Sequence, residues 1–556
     1  MTTAPPAPDS EPALSADCIV VGAGFSGCYA THMLRRQGYT VKMIDAGSDF
    51  GGVWHSHRYP GALVDSPSPL YQLSLPEAWR GFHFRTKFPD QREMQAYFRH
   101  VADVLDLRCD ALFRHVIVDA RYDNGAGVWQ LRSDRGLRAT GRYVFFATGT
   151  TNKPYVPAFP GLERFRGQLV HTHDWPADLS LKEARRIALI GTGSTGTQVA
   201  QEIAKLDADV TVFTRTPNIA YPLRQETRTL ADAERRKAVY GEVFPQAKAA
   251  GWPRYLINTP ARPFREDTPA RHREVWEAAW RKGGFAVFLE NYPEVATDKA
   301  VNAAFYEFWK EKTGPRIRDP AKRAALVPDE QPVWFMARRP VLEDDYYEMM
   351  DRDNVTLVDL RRTPIKEFTA DGIVTADGEG EAGETLREFD LVICATGYDS
   401  VTGSLHDMNV RDRHGVFLQD KWRDGIATHM GMMVPGLPNA FLLYGPQAPG
   451  PMTNGPTFIE VQVELLCRLL ARAEGRGLAE LEATEEAARR WRDKVYEGYR
   501  ATLASEVDSW WVGTNVPGKR REPLTWFAGV PAWREACEES LRSWDDFEPA
   551  RVDAKL

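Results

Sequence analysis

An α/β protein with two dinucleotide-binding, Rossmann-like domains and a helical insertion is the fold that the sequence predicts, and three observations support it. A strand, a Gly-x-Gly-x-x-Gly turn, a helix and a second strand follow one another near residue 22 and again near residue 191. An apolar strand that ends in Ala-Thr-Gly also occurs twice, at residues 146–149 and 391–397. Between these repeats, residues 223–333 carry aromatic side chains at the i, i+3, i+4 and i+7 spacing of a helix.

Composition excludes several classes of function. A chain of 556 residues is long enough to bury more than one core, and its net charge of -7 gives no reason to expect nucleic acid or an anionic membrane as a partner. The six cysteines are widely spaced without a Cys-x-x-Cys pair, which predicts a reducing compartment and no metal cluster. No apolar run approaches the roughly 20 residues of a transmembrane helix. We therefore expect a cytoplasmic protein whose Pro-rich, acidic residues 1–16 form a flexible tail and not a signal peptide; the oligomeric state is left open.

The first repeat predicts a dinucleotide site. The β-branched run 17–21 ends at the turn 22–27, a helix follows, and a second apolar run from 40 to 44 ends on Asp45. Such a turn places a pyrophosphate on the helix N-terminus, and an acid at this spacing accepts a hydrogen bond from a ribose hydroxyl. The expected cofactor contacts of this unit are Gly22, Gly24, Phe25, Ser26, Gly27 and Asp45.

Residues 51–65 predict a second contact with the same ligand. They read Gly-Gly-Val-Trp-His-Ser-His-Arg-Tyr-Pro-Gly-Ala-Leu-Val-Asp, and their glycines let the backbone approach a flat ligand closely. On composition alone, a surface loop with a buried Trp54 is the better interpretation, and a resemblance described below reverses it. Strands are predicted at 114–122 and 127–132. The expected contacts in this region are Gly52, Val53, Trp54, Val64, Asp65, Ser66, Tyr71 and Ile117.

The second repeat predicts a second dinucleotide. A strand at 186–190, the turn 191–196, a helix and a strand at 209–213 have the same order as the first unit. The position equivalent to Asp45 is followed by Arg215 and Thr216, and a permanent guanidinium beside a hydroxyl favours a 2′-phosphate. The second nucleotide is therefore predicted to be NADP, with Arg215 as an ordinary surface charge the alternative. The expected contacts are Gly191, Thr192, Gly193, Ser194, Thr195, Gly196, Arg215 and Thr216.

The stretch 165–176 lies just before the second repeat and has the skeleton Phe165-x-Gly167-x3-His171-x3-Trp175-Pro. It resembles the fingerprint of the Baeyer–Villiger monooxygenases, flavoenzymes that insert one oxygen atom of O2 next to a ketone carbonyl. Residues 51–65 are similar to a second pattern of this family, Gly-Gly-x-Trp-x4-Tyr-Pro-Gly-x3-Asp, at every specified position. The resemblance covers nearly the whole chain.

This resemblance implies FAD and NADPH as cofactors, and a ketone and O2 as substrates. In the family, NADPH reduces FAD, O2 adds to give a flavin C4a-peroxide, and the peroxide attacks the ketone to give an ester or lactone. The Ala-Thr-Gly strands are expected where the chain crosses between domains. The expected division is a tail at 1–16, an FAD-binding domain at 17–150 and 391–556, an NADP-binding domain at 151–222 and 335–390, and a helical insertion at 223–334.

The resemblance also implies roles for individual residues. Arg339, which precedes a proline, corresponds to the arginine credited with holding the peroxide as an anion, and Asp65 is expected to orient it. A guanidinium suits this task because it keeps its proton near neutral pH. Arg338 stands where the family often has lysine, and it keeps the positive charge for the NADP phosphate. Trp510 matches a tryptophan that binds the nicotinamide ribose, although it could also simply close the core.

Phe165, Gly167, His171 and Trp175 are expected to couple the movements of the domains, and a conformational role for His171 is favoured over proton transfer. Without a cysteine pair beside the flavin, oxygen activation is favoured over disulfide reduction. Two alternatives remain: a flavin monooxygenase that oxygenates nitrogen or sulfur, and a flavoprotein that only senses redox state or binds a partner. The ketone pocket is expected along residues 398–404 and 447–455, in an open loop that admits bulky ketones.

Overall fold

A computed structural model describes residues 13–253, 256–376, 383–450 and 453–548. In chain order, the strands within these ranges are β1 (Ala13–Val21), β2 (Val41–Asp45), β3 (Ala111–Phe113), β4 (Ile117–Asp123), β5 (Val128–Ser133), β6 (Arg138–Phe146), β7 (Gln168–His171), β8 (Arg186–Ile190), β9 (Asp209–Thr214), β10 (Ala220–Pro222), β11 (Val341–Glu343), β12 (Val355–Asp359), β13 (Ile365–Phe368), β14 (Gly372–Ala376), β15 (Glu384–Glu388), β16 (Leu391–Cys394), β17 (Val410–Arg411) and β18 (Ala440–Leu442).

The helices of the same ranges are α1 (Phe25–Arg36), α2 (Val53–Ser56), α3 (Pro76–Arg80), α4 (Gln91–Val104), α5 (Ser194–Ile203), α6 (Leu230–Lys237), α7 (Tyr240–Ala250), α8 (Pro269–Lys282), α9 (Ala286–Leu289), α10 (Lys299–Thr313), α11 (Pro320–Leu326), α12 (Tyr346–Met350), α13 (Gly403–Asp407), α14 (Leu418–Lys421), α15 (Gly455–Gly475), α16 (Glu485–Arg500) and α17 (Gly529–Ser543).

The first sheet is built around β1. Its strands follow the order β17-β4-β5-β6-β1-β2-β3, and β18 pairs with β6 as well. Strand β1 runs parallel to β2 and β6, and its residues 18–21 are buried, as expected for a β-branched strand covered on both faces. The strand begins at Ala13 because residues 13–16 pair with β6. The prediction of a tail is therefore wrong for residues 13–16, and residues 1–12 lie outside the described ranges.

The second sheet has the order β12-β9-β8-β16-β7, and each of its neighbouring pairs is parallel. Strand β16 carries the second Ala-Thr-Gly at its end, and it is hydrogen-bonded to β7 and β8 in this second sheet. The return to the first sheet consequently comes after Cys394, so the boundary predicted at residue 391 is too early. The hairpins β13-β14-β15 form a separate antiparallel sheet, and β10 pairs with β11.

The segment between β10 and β11 is helical, as its aromatic spacing predicts. Its aromatic residues pack on one another: the rings of Trp276, Phe305 and Phe308 lie with centroids 5.5 to 6.1 Å apart. Trp309 is fully buried, and its indole N–H donates to the carbonyl of Ala220 at 2.9 Å. These contacts join α8 to α10 and attach α10 to β10, the strand that pairs with β11.

Two further findings concern the helices and the cysteines. No helix within the described ranges combines the length and the apolar character that crossing a bilayer requires. The cysteines at 18, 28, 109, 394, 467 and 537 are all free, and Cys109 is exposed while the other five are buried.

We expect Trp309→Ala to lower the free energy of unfolding by about 3–5 kcal/mol, because the change leaves a cavity at the attachment of the helical insertion. It also leaves the carbonyl of Ala220 without its donor. Urea unfolding followed by circular dichroism measures the effect. Leu230→Ala, at a side chain that is 63% exposed, is the control and should change the midpoint little. A Trp309→Ala midpoint equal to that of the control would contradict this account.

Candidate active site

The backbone of the first glycine turn is packed so closely that side chains at Gly22 and Gly27 would clash with carbonyl oxygens. Gly22 has φ +116°, and a Cβ atom there would lie 2.4 Å from the carbonyl oxygen of Ala147, the alanine of the first Ala-Thr-Gly. A Cβ atom on Gly27 would lie 1.8 Å from the carbonyl oxygen of Gly22. Helix α1 starts directly after Gly24, which has no side chain to cap it. The N–H groups of the first turn of α1 are thus directed at a ligand position.

Asp45 ends β2 and holds this turn in place. One of its carboxylate oxygens accepts a hydrogen bond from Ala23 N at 2.6 Å and the other from Gly47 N at 2.6 Å. Burial raises the pKa of Asp45, and these two hydrogen bonds oppose that change because they favour the charged form. Sequence reasoning missed this bracing role. The predicted hydrogen bond to a ribose hydroxyl stays a prediction.

The second glycine turn repeats the first in detail. Gly191 has φ +105°, and a Cβ atom there would lie 2.5 Å from the carbonyl oxygen of Ala395, the alanine of the second Ala-Thr-Gly. A Cβ atom on Gly196 would lie 2.0 Å from the carbonyl oxygen of Gly191. Each turn therefore packs against the end of the strand beside it, which explains why the sequence pairs each glycine motif with an Ala-Thr-Gly.

A cavity of about 740 Å³ opens in front of the first turn. Thirteen of the predicted site residues line it: Gly22, Gly24, Phe25, Ser26, Asp45, Gly52, Val53, Trp54, Asp65, Tyr71, Ile117, Arg339 and Trp510. Gly27, Val64 and Ser66 lie behind its wall; Gly27 packs on the turn, and the other two are buried. The structure thus brings residues 22–71 together with two residues from far along the chain.

Arg339 and Asp65 form an ion pair in the wall of this cavity. Arg339 donates from Nε to Asp65 Oδ2 at 2.8 Å and from Nη2 to Oδ1 at 3.0 Å, and its Nη1 donates to the carbonyl of Thr453 at 3.3 Å. The guanidinium also lies over the ring of Phe285, 4.8 Å from its centroid. Burial by itself would lower the pKa of Arg339, but the Asp65 carboxylate outweighs it and the pKa is raised. The cation is therefore permanent at any working pH.

Comparison with known proteins assigns the chain. The family of pyridine nucleotide-disulphide oxidoreductases matches residues 16–239. Cyclopentanone 1,2-monooxygenase of Comamonas sp. is 37% identical over 524 residues, 94% of each chain. The Baeyer-Villiger monooxygenase of Pseudooceanicola batsensis is 36% identical, over 94% of this chain and 93% of that one. The crystal structure of cyclohexanone monooxygenase from Rhodococcus sp. Phi1 bound to NADP+ matches with a TM-score of 0.90 and 33% identity, over 96% of this chain and 99% of that one.

The chain belongs to the Baeyer–Villiger monooxygenases. It is an FAD-dependent enzyme that uses NADPH and O2 to insert one oxygen atom beside a ketone carbonyl. These findings support ketone oxygenation over the N- or S-oxygenating alternative.

The cavity of this monooxygenase fits FAD on its own geometry. The N-terminus of α1 suits a pyrophosphate, and a Cβ atom on Gly52 would come within 3.0 Å of Gly24 Cα, so two glycine backbones face one another without side chains between them. Among the residues that the structure describes, no group of three His, Cys, Asp or Glu side chains is placed to hold a metal ion. The donors present are those of a nucleotide site.

Two arginines lie together beside the second turn of the enzyme. Partial burial lowers the pKa of Arg338, and the nearby guanidinium of Arg215 lowers it further. Arg338 Nε donates to the carbonyl of Asp508 at 3.0 Å. Thr214 ends β9, and its hydroxyl is hydrogen-bonded to that of Thr192 at 2.7 Å, so an acid is absent from the position equivalent to Asp45. Two neighbouring cations without an acid at that position suit a phosphate dianion.

The Tyr-Pro-Gly part of the second family pattern joins the two sheets. The hydroxyl of Tyr59 donates to Gln198 Oε1 on α5 at 2.9 Å, and Gln198 Nε2 donates to the carbonyl of Leu63 at 3.1 Å. Gly61 has φ +80°, and a Cβ atom there would lie 2.6 Å from the carbonyl oxygen of Gln198. Only glycine allows this approach, so the motif fixes the loop against the helix of the second glycine turn.

The four residues that the fingerprint specifies, Phe165, Gly167, His171 and Trp175, lie outside the cavity wall, at the second sheet. Phe165 packs edge-on against Phe368, and a Cβ atom on Gly167 would lie 2.9 Å from the carbonyl oxygen of Asp390. His171 ends β7; its Nδ1 accepts from His173 N and its Nε2 lies 3.1 Å from the carbonyl oxygen of Gly397. Backbone groups engage both ring nitrogens, which leaves His171 poorly suited to proton transfer. Trp175 packs against the core.

Sequence reasoning missed several residues of the cavity and its surroundings. Tyr444 lines the wall with φ +55°, and its hydroxyl donates to the carbonyl of Gly450 at 3.1 Å. Phe285 comes from the helical insertion and packs on Arg339. The Gly- and Pro-rich composition of residues 444–450 was the one signal that could have identified Tyr444, whereas nothing in the sequence marks Phe285 among the other aromatic residues of its segment.

We expect Arg215→Ala to raise KM for NADPH by about ten- to a hundredfold, since one charge-assisted hydrogen bond to a phosphate contributes about 1.5–3 kcal/mol. The KM for NADH should stay unchanged because NADH lacks the 2′-phosphate. Steady-state kinetics with both nucleotides measure the ratio. Arg185→Ala, which removes an exposed pair with Asp207, is the matched control. Equal KM changes for the two nucleotides would show that Arg215 does not contact the phosphate.

Proposed function

We propose that the 740 Å³ cavity holds the FAD of this monooxygenase and that Arg339 stabilises the negative charge that develops on oxygen during the reaction. The observation that carries the proposal is the Asp65-held guanidinium in the wall of the cavity. The chemistry that FAD supplies when bound is the oxidation of NADPH and the activation of O2.

Arg339 acts as a fixed cation. An oxygen nucleophile must stay deprotonated to attack a carbonyl, and the attack produces an oxyanion on the former carbonyl oxygen. A guanidinium donates hydrogen bonds to both without giving up its proton near neutral pH. Its side chain is only 18% exposed, so water screens it weakly and its charge acts strongly on a neighbouring oxygen.

Asp65 acts through Arg339 and is a positioning residue. Its two oxygens accept hydrogen bonds from Nε and Nη2 of Arg339. This bidentate geometry fixes the plane of the guanidinium. Ser66 donates to Asp65 Oδ1 at 3.2 Å and supports the carboxylate. A carboxylate this close also balances the charge of Arg339, which makes its burial possible.

We propose that NADPH occupies the second glycine turn. The N-terminus of α5 would bind its pyrophosphate. Gly191, Gly193 and Gly196 would let the backbone of the turn approach this group because they have no side chains. Arg215 with Thr216, and Arg338 beside them, would hold the 2′-phosphate. Trp510 lines the cavity next to its fully buried neighbour Trp511, which supports the proposal that its indole N–H binds the nicotinamide end.

The two sheets support a domain assignment. We propose that the part of the chain built on the first sheet, 13–150 and 395–548, binds FAD, and that the part built on the second, 151–222 and 335–394, binds NADP. The helical segment 223–334 is an insertion that contributes Phe285 to the cavity wall region.

We propose a ketone as the organic substrate, bound in the cavity beside Arg339. The relatives named above act on cyclopentanone and cyclohexanone, and a third, 34% identical over 94% of this chain, on acetone. Of the two predicted pocket segments, Ser404 and Gly455 line the cavity. We also propose a cytoplasmic location without a nucleic-acid partner, supported by the net charge of -7 and the free cysteines.

We expect Arg339→Ala to bind FAD and to lose ester formation by about a hundred- to a thousandfold, the usual cost of removing one donor to a developing oxyanion. FAD content, NADPH consumption and ester yield on cyclic ketones are measured together. Asp65→Asn should reduce ester formation less than Arg339→Ala does, because the arginine remains but is oriented by fewer charge-assisted hydrogen bonds. Arg423→Ala, at an exposed side chain, is the control. Ester formation by Arg339→Ala at the control's rate would remove Arg339 from the reaction.

A further inference from the structure

Three histidines and a tyrosine meet where the chain passes between the two sheets. His57 comes from the loop 51–65, His171 and His173 come from the fingerprint, and Tyr398 follows the second Ala-Thr-Gly. Nε2 of His57 lies 3.1 Å from Nδ1 of His173 and 3.1 Å from the hydroxyl of Tyr398. The rings of His57 and Tyr398 are stacked, with centroids 5.4 Å apart, and those of His171 and His173 contact Tyr398 edge-on.

The hydrogen bonds of this cluster assign its protons. His171 Nδ1 accepts from the backbone N–H of His173, so the ring proton lies on Nε2 and is donated to Gly397 O. Nε2 of His57 lies within hydrogen-bond distance of two groups, the Tyr398 hydroxyl and Nδ1 of His173, and its single lone pair can accept from one of them at a time. Because its Nδ1 is an acceptor, His171 is neutral in this arrangement.

Protonation of His171 is incompatible with its backbone contact. A second proton on His171 would direct an N–H against the N–H of His173 at 3.1 Å. Burial lowers the pKa of His57 to about 3 and that of His171 to about 4, and the neighbouring His173 adds to both shifts. Burial also lowers the pKa of His173, which Asp174, 3.8 Å away, opposes.

The other charged groups around the cluster are already paired. Lys153 and Lys519 are paired with Asp399, next to Tyr398. Arg58, next to His57, donates to the carbonyl of His55. The hydroxyl of Tyr59, whose ring lies 6.1 Å from that of His57, is held by Gln198. Asp174 is thus the acidic group that directly faces the cluster.

The cluster also borders the active site. His173 and Asp174 line the same cavity as Arg339, while His57 lies between Trp54 and Asp65 in the loop that forms the cavity wall. We propose that His57, His173 and Tyr398 are positioning residues that lock the connector 165–176 to the loop 51–65, and so keep the FAD and NADP sites in the arrangement that couples NADPH oxidation to ester formation. This inference rests on the proposed function of the cavity.

The lock has a defined pH dependence. In the closed cluster the histidines have pKa values below the ordinary value of about 6.5, to which they return when the cluster opens. The open form binds more protons, so the lock is fully stable above about pH 7 and is weakened progressively as the pH falls below about 6.5. The ratio of ester formed to NADPH oxidised should therefore be constant from pH 7 to 9, as a neutral cluster requires, and fall at lower pH.

Two variants of the holoenzyme test the lock. His57→Phe removes both ring nitrogens, and Tyr398→Phe removes one oxygen while it keeps the stacked ring. At pH 8 we expect both to raise amide hydrogen exchange in residues 168–175 by about tenfold, which corresponds to about 1.4 kcal/mol of local opening. We expect both to lower the ester-to-NADPH ratio at unchanged FAD content, and the decline of this ratio below pH 6.5 should be shallower in His57→Phe. His414→Asn, at an exposed histidine, is the control.

Wild-type exchange and ester-to-NADPH ratios in Tyr398→Phe and His57→Phe would overturn the inference, as would a wild-type ratio that does not change between pH 5 and 8. If His57→Phe fails to fold, Tyr398→Phe decides alone. The exchange rates do not depend on Arg339. Failure of the proposed function, seen as ester formation by Arg339→Ala, is therefore distinguishable from failure of the lock.

Discussion

The pairing of Arg339 with Asp65 is the constraint on which the rest of the site depends. The two residues are 274 positions apart in the chain, and they meet because the segment that follows the helical insertion passes beside the loop 51–65 at the cavity. A buried guanidinium is unfavourable without a partner, and a single partner with two oxygens both neutralises and orients it. The ring face of Phe285 packs on the guanidinium, and the carbonyl of Thr453 accepts a further hydrogen bond from it. The fold therefore places a permanent positive charge in the wall of the cavity. A reaction that proceeds through negatively charged oxygen requires such a charge.

The two nucleotide units are held together by contacts of a different kind. In each unit the first glycine of the turn packs on the carbonyl of an Ala-Thr-Gly alanine, at Ala147 in one and Ala395 in the other. Between the units, the loop 51–65 contacts α5 through Tyr59 and Gly61, and it contacts the fingerprint through His57. The same loop carries Asp65. The loop 51–65 thus contacts three parts of the molecule: the cavity, the unit of the second sheet and the connector 165–176.

The function depends on how the two nucleotide units and Arg339 are combined, more than on either nucleotide unit alone. A dinucleotide fold alone is shared by enzymes of many activities. The cation at Arg339 suits oxygen insertion, and the two arginines beside the second turn suit a phosphate. The similarity to ketone monooxygenases over nearly the full length of the chain agrees with this chemistry.

The sequence by itself determined the parts of the protein that depend on local geometry. Both glycine turns, their strands and helices, and the NADP-type residues after β9 are readable because a tight turn tolerates only glycine and a strand at this depth requires apolar residues. The fingerprint identified the family, and the family implied Arg339 and Asp65. Only the tertiary structure decided what the chain brings together over long distances: the start of β1 at Ala13 through its pairing with β6, the membership of β16 in the second sheet, Phe285 and Tyr444 beside the cation, and the neutral histidine cluster at the junction. These contacts depend on packing between segments hundreds of residues apart, and no local pattern records such packing.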